Sequence, residues 1–468
     1  MSVAFQQLTF PSSYHHNLSD NKPSLISRNG EIVNNSISFP DLLGRRTIFQ
    51  SNRVLPRASS SSSASVSGSE QWLDPKIQQK KKRIAGIDQE ELLDPKLLAD
   101  SDSCFCEFKG VQIHHKLYSA ESKAHDSSQL GKIGFPIILL HGFGASLFSW
   151  SRTMKRLAEI TASKVLAFDR PAFGLTSRVE HSSSATGDSK ALNPYSVAFS
   201  VLATLYFIDF LTAEKAILVG HSAGSLLAVN SYFEAPERIA ALILVAPAIL
   251  APRSVRKSAE RNKDGSNLNT IGKQFSKFLD KVLKLTAIIT RPIIQMAKGM
   301  AGMLNSLYKK ALSAVLRSAF GAMLIRMVID KFGIAAVRNA WHDSTQVTQH
   351  VLDGYTKPLR VKGWDKALAE FTAATLASFE SESKPSLSKR LHEITCPVLI
   401  VTGDNDRIVP SWNAMRLAEA IPGSCLEVIK NCGHLPHEEK VEEFVSIVEN
   451  FLQRNFSDLI DSSQTVTI

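Results

Sequence analysis

"KAILVGHSAGSLLAVNSYF", residues 215–233, runs an apolar stretch into a helix-like one and puts a serine between two glycines at the join. Ala216 to Val219 reads as a buried strand, and the segment from Leu226 onward reads as a helix. In Gly-x-Ser-x-Gly the serine occupies a strained strand-to-helix turn, where Gly220 and Gly224 keep side chains out of a crowded elbow. Ser222 is then expected at the C-terminal edge of a sheet, above the start of a helix. A serine hydroxyl is a weak nucleophile, so such a turn is useful only if the chain also supplies a base, an orienting acid and oxyanion donors.

Working outward, the same rhythm repeats. "PIILLHGFG" (136–144), "KVLAFDRPAFG" (164–174), "AALILVAPA" (240–248), "PVLIVTGDND" (397–406) and "SCLEVIKNCGH" (424–434) are apolar runs that end in turn chemistry. Val/Ile/Leu runs separated by helix-length spacers predict an α/β fold with a mostly parallel central sheet flanked by helices. "CEFKGVQIHHKLY" (106–118) reads as two short strands about a turn at Lys109-Gly110. Between Pro247 and about Leu391 the strand rhythm stops. This helix-like insertion, falling before the last two strands, is expected to cap the edge where ligands bind in open α/β sheets.

The partners for Ser222 come from the later loops. His434 follows the last predicted strand and is the expected base. His437, the competing histidine, sits in a helix-like start and reads as a surface or capping residue. Asp406 follows the preceding strand and is preferred as the acid over Asp404, because it lies further along the loop that must reach His434. The backbone N–H groups of Ala223 and of Phe143, in "HGFGAS", are the expected oxyanion donors.

With "HGFGAS", "DRPAFGLTSR", "GHSAGS", "GDNDRIVP" and "GHLPHE" in this order, residues 105–455 resemble the α/β-hydrolases, whose serine, acid and histidine follow one another in the same sequence. The resemblance implies a Ser222–Asp406–His434 triad that cleaves an ester and needs no metal or organic cofactor. A serine at the elbow separates the chain from relatives that carry aspartate there. The finer resemblance is to plant chloroplast hydrolases that release phytol, the branch of chlorophyll dephytylase and of the plastid hydrolase linked to vitamin E supply. It implies a lipophilic ester, of chlorophyll type or a fatty acyl prenyl ester, as substrate. A receptor or carrier built on the same pocket, an acyltransferase using the same acyl-enzyme, and a carbon–carbon bond hydrolase remain alternatives.

Composition sets the outer boundaries. Residues 1–70 hold 17 serines and six Lys or Arg against four acidic residues, which resembles a chloroplast transit peptide and places the protein in the chloroplast, peripheral on a plastid membrane. A disordered tail is the plainer reading of that stretch. A polar connector is expected over 71–104, the hydrolase core over 105–248 and 392–455, the basic cap over 249–391 and a tail over 456–468. The five cysteines form no metal-ligand spacing and read as reduced thiols.

Charge is uneven. Residues 251–345 hold 17 Lys or Arg against five Asp or Glu, more than the whole chain's net +10, so the remainder is slightly acidic. In "KQFSKFLDKVLKLTAII" (273–289) the lysines share one helical face and the apolar side chains the other. That stretch is expected to pack as an ordinary cap or to meet a plastid membrane surface. Charge confined to helices with apolar backs argues against nucleic acid.

Overall fold

The computed structural model describes residues 82–119, 134–179, 192–252, 307–378 and 387–464. The expected leader and the amphipathic stretch 273–289 lie outside the described residues.

A short hairpin, β1 (Arg83–Ile84) and β2 (Ile87–Asp88), precedes the main sheet. That sheet has eight strands: β3 (Cys104–Phe108), β4 (Val111–Tyr118), β5 (Ile137–Leu140), β6 (Val165–Phe168), β7 (Ala216–His221), β8 (Ile239–Val245), β9 (Val398–Gly403) and β10 (Cys425–Ile429). They lie in the order β10-β9-β8-β7-β5-β6-β4-β3. β5 to β10 are mutually parallel and come from the six apolar runs; β3 and β4 join antiparallel at one edge. The turn between β3 and β4 places Lys109 and Gly110 at φ 49° and 79°, the left-handed pair of a tight hairpin.

Side-chain alternation splits the strands between two cores. Ile138, Leu140 and Leu218 face α2 (Val197–Phe210) and α3 (Ala223–Glu234), which follow β6 and β7. Ile137, Leu139 and Ile217 face α1 (Met154–Thr161), which precedes β6, and the C-terminal helix Val441–Gln464. Burial on both faces is why the strands read as unbroken apolar runs. The C-terminal helix passes through the expected tail boundary, and Phe456 is buried 5.5 Å (ring to ring) from Phe135.

Between β8 and β9 the described residues form the cap: α4 (Leu307–Arg317), α5 (Ala319–Ala340), α6 (Gln349–Thr356) and α7 (Trp364–Ser378). Ser318 separates α4 from α5 at a 78° bend, extended in backbone, with its hydroxyl accepting from Gly321 N. The expected polar connector contains more order than its composition suggests. Ala85 N donates to Asp330 Oδ1 (2.8 Å) on α5, Trp364 Nε1 donates to Gln89 Oε1 (3.0 Å), and Leu93 bridges Val361. This strap ties the cap to the edge of the sheet.

Asp169, just after β6, gathers three segments. Its carboxylate accepts from Leu147 N and Leu175 N and from His114 Nδ1, each at 2.7 Å, and the far side of His114 meets Ser103 Oγ at 2.8 Å. Burial opposes the charge, yet the His114 bond and the neighbouring positive charge hold the carboxyl at about 2.

Among the described residues five other histidines are buried, including His141, His221 and His437. His437 is a correction to the sequence reading: it is fully buried, its ring 4.1 Å from that of Trp150 and 4.6 Å from that of His221. The helical start "PHEE" (Pro436–Glu439) folds inward because Trp150 offers an aromatic face. Burial, helped at His141 by the Arg170 charge, pushes His141 and His437 down to about 3. Burial and the neighbouring His437 and His434 hold His221 well below its usual value.

Two outcomes follow from these buried groups. Asp169→Ala strands His114 and two backbone donors, and is expected to cost about 3–5 kcal/mol in urea unfolding, against about 1 kcal/mol for Ser103→Ala. The depressed histidines are neutral when folded and bind protons when unfolded, so stability is lost as pH falls below about 6.5. Glu438, pushed up by burial to about 8, opposes this by holding its proton in the folded state. His437→Phe is expected to flatten the pH dependence of unfolding free energy by about 1.4 kcal/mol per pH unit between pH 6 and 4; an unchanged slope would show that this histidine titrates alike in both states.

Candidate active site

Ser222 sits between the end of β7 and the start of α3, at φ 52° and ψ −115°, a conformation that costs a non-glycine residue roughly 1–3 kcal/mol. The surroundings enforce it. Ser222 N donates to Val245 O (2.8 Å), while Ser222 O accepts from Ser225 N (3.0 Å) and Ala248 N (3.2 Å). A Cβ on Gly224 would lie 2.1 Å from Leu140 O, and one on Gly220 would lie 2.4 Å from Gly224 O. Both glycines of the motif are therefore required by the approach of α3 to β5 and to its own elbow. Ser222 is half-buried and Ala223 buried.

The loop after β5 lies against this elbow: a Cβ on Gly142 would come within 3.3 Å of Ser222 Cβ. His141 orders the loop. Its Nε2 accepts from Arg170 N (3.1 Å), so the proton resides on Nδ1, which donates to Gly142 O (2.8 Å). The buried Arg170 guanidinium adds bonds to His141 O and Gly142 O, each at 3.2 Å. Because the peptide is planar and trans, a Gly142 carbonyl held toward Arg170 turns the Phe143 N–H to the opposite side. Arg170 escaped the sequence reading; its only signal was its place directly after the strand in "DRPAFG". The Phe143 side chain is 42% exposed and neighbours Phe173 and, from the cap, Phe371, with ring centroids 5.6 and 6.1 Å away.

Asp406 and His434 arrive on the loops after β9 and β10. His434 Nδ1 and Asp406 Oδ2 are 2.7 Å apart, both residues are buried, and Asp406 Oδ1 accepts from Ile408 N and Val409 N at 2.8 Å each. Asp404, the competing acid, is engaged elsewhere: Oδ1 accepts from Asn405 and from Cys432 N. The His434 ring lies 4.8 Å from that of His221, the residue before Ser222, and His221 Nε2 donates to His434 O (3.0 Å). Among the described residues no hydrogen bond joins Ser222 Oγ to His434, a pair that commonly tightens only once substrate is bound.

The cap grips the histidine loop directly. His434 N donates to Ala340 O (2.7 Å) at the end of α5. Glu439 accepts from Gly433 N (3.0 Å) and Leu435 N (3.2 Å) with Oε1, and from His342 N (2.8 Å), just beyond α5, with Oε2. The next contact is between Tyr355 on α6 and the buried Glu438 carboxyl. Glu439 was not singled out in the sequence. Nearby Cys432 is buried, and burial pushes its thiol far above its usual value, which makes it a poor thiolate. All five cysteines are free.

The family model described as "Alpha/beta hydrolase family" matches residues 137–447. The chain is 25% identical over 321 residues to the 2-hydroxy-6-oxononadienedioate/2-hydroxy-6-oxononatrienedioate hydrolase of Klebsiella pneumoniae, covering 68% of this chain and 87% of that protein. It is 34% identical over 141 residues to the abhydrolase domain-containing protein abhd-5.2 of Caenorhabditis elegans, a match spanning 30% of this chain and only 28% of that protein's length. A solved structure of a thermophilic esterase from Thermogutta terrifontis aligns with a TM-score of 0.46 and 17% identity, over 76% of this chain and all of that one. The parallel sheet, the serine elbow and a family match over about two thirds of its length show that the chain belongs to the alpha/beta hydrolase family.

Proposed function

We propose that this hydrolase is a serine ester hydrolase whose triad is Ser222, His434 and Asp406. The observation that carries the reading is the 2.7 Å His434–Asp406 bond, buried beside an elbow that holds Ser222 at positive φ. In this mechanism Ser222 Oγ attacks the ester carbonyl and His434 Nε2 takes its proton. Asp406 fixes the imidazole with its proton on Nδ1 and stabilises the imidazolium. The N–H groups of Phe143 and Ala223 hold the tetrahedral oxyanion. His434 then protonates the departing alcohol, and water releases the acid from Ser222 in a second pass through the same steps.

The substrate is a lipophilic ester. Support comes from the aromatic wall of Phe143, Phe173 and Phe371 beside the oxyanion loop, where a long apolar chain loses nothing by leaving water. We extend the reading to a prenyl alcohol such as phytol as the leaving group, in a protein of the chloroplast. That step rests on the serine-rich, acid-poor leader and on the resemblance to phytol-releasing plastid hydrolases.

A second reading is carbon–carbon bond hydrolysis, favoured by similarity to the Klebsiella pneumoniae enzyme, whose named substrate is a dienedioate. A dianion calls for cations in the pocket. Here the buried cation nearest the oxyanion loop, Arg170, already donates to the carbonyls of His141 and Gly142.

Ser222→Ala and Asp406→Asn proteins, beside the parent, are to be given chlorophyll, pheophytin, a phytyl fatty ester, a short nitrophenyl ester and a ring-fission dienedioate. A fluorophosphonate is expected to label Ser222, and either substitution to lower ester turnover by roughly 10³-fold or more. Phytol release by the parent alone identifies the donor. Turnover of the short ester alone removes the phytol assignment and keeps the triad; dienedioate cleavage alone moves the second reading to the front.

A further inference from the structure

Helix α5 is apolar almost all the way round, yet of its 22 residues only Gly321 and Ala340 are buried. Phe320, Met323 and Met327 are 54%, 52% and 56% exposed, and their i, i+3, i+7 spacing puts them along one stripe. Leu307 and Tyr308, at the start of α4, are 55% and 65% exposed. A helix with such a composition is ordinarily covered.

The charge that accompanies the apolar surface points to what covers it. Residues 307–340 contain six Lys or Arg and a single acidic residue, Asp330. Asp330 is turned to the strap, where it accepts from Ala85 N. The neighbouring sequence 253–306 is also strongly basic, with 11 Lys or Arg against three acidic residues. Covering α5 with a second copy of this surface, or with that neighbouring segment, would set like charge against like. An anionic surface with an apolar interior satisfies both features at once.

The geometry favours lying on such a surface over crossing it. Among the described residues no single helix is long and apolar enough to span a bilayer, and α4 and α5 qualify only as a pair bent by 78°. The pair is also tied down along its length. Arg317, beside the bend, donates to Glu370 Oε2 (2.8 Å), Arg326 to Asp365 Oδ2 (2.8 Å), and Ala340 O accepts from His434 N (2.7 Å). These bonds hold α5 to α7 and to the histidine loop while its apolar stripe stays outside.

We propose that α4 and α5 form a docking surface for an anionic lipid bilayer, with Phe320, Met323 and Met327 entering the interface and the flanking Lys331 and Arg338 meeting the headgroups. This surface goes beyond the ester hydrolase reading and does not depend on it.

Full-length protein is to be floated with vesicles of phosphatidylcholine containing about one third phosphatidylglycerol, and with phosphatidylcholine alone, at low and high salt. The parent is expected to float with the anionic vesicles and to be released by salt. The combined Phe320→Ser, Met323→Ser and Met327→Ser variant is expected to bind about tenfold more weakly, with an unchanged urea midpoint because these side chains are already exposed. Lys331→Glu with Arg338→Glu is expected to remove the preference for anionic vesicles. Ser222→Ala is expected to bind like the parent, which separates docking from catalysis. Equal flotation of the parent and the triple variant at Phe320, Met323 and Met327 would overturn the proposal, as would a parent that floats with neither vesicle. Lipid-free self-association that the triple variant at Phe320, Met323 and Met327 abolishes would also overturn it, by assigning the surface to a second copy.

Discussion

The structure turns on how closely α3 approaches β5. Leu140 O occupies the space that a Cβ on Gly224 would need, and Gly224 O occupies the space beside Gly220. With both glycines in place the chain passes from strand to helix within one residue, and that residue, Ser222, takes up positive φ. The strain of about 1–3 kcal/mol is carried by a parallel sheet buried on both faces, where each fully covered Leu or Ile contributes roughly 1.5–3 kcal/mol. A sheet with one solvated face would have less to set against it. The same approach brings the loop after β5 beside the elbow, so the serine and the loop proposed to hold the oxyanion are placed by one packing event.

The second requirement is that the histidine loop hold its position against a cap built on a different part of the chain. Glu439 meets it with one carboxylate, accepting from both sides of His434 and from the start of the segment that follows α5. A carboxylate suits this place because it accepts several backbone N–H bonds at once, and charge-assisted bonds are the stronger kind. The consequence is mechanical: displacement of the end of α5 pulls on the residues either side of His434. Arg170 plays the corresponding part on the other side of the site, fixing two carbonyls of the loop after β5.

The sequence made the sheet legible because both of its faces are covered, so six strands announce themselves as continuous apolar runs. The loops bearing Ser222, Asp406 and His434 were legible because each directly follows such a run. What escaped was whatever depended on a partner distant in the chain. His437 looked solvent-facing beside two glutamates, but Trp150, far away in sequence, supplies the face that buries it. The strands of the 83–88 hairpin are two residues each, below any detectable period, and their order comes from bonds to α5 and α7. Phe456 belongs to the core through Phe135, which a reading of helix ends does not reveal.

The division of charge fits the proposed chemistry. The basic residues are concentrated in the cap, while the rest of the chain is slightly acidic. A dissolved dianionic substrate would be served by cations inside the pocket, but there the cation at hand is occupied by backbone carbonyls and the wall is aromatic. In the proposed reading, cations outside, next to an exposed apolar helix, would serve a substrate that is itself held in an anionic sheet of lipid. Since α5 ends on His434 N, the element proposed to meet that sheet also holds the proposed base. An ester drawn from such a sheet would exchange one apolar environment for another beside Phe143, Phe173 and Phe371, and surroundings of low dielectric strengthen the bonds to a developing oxyanion.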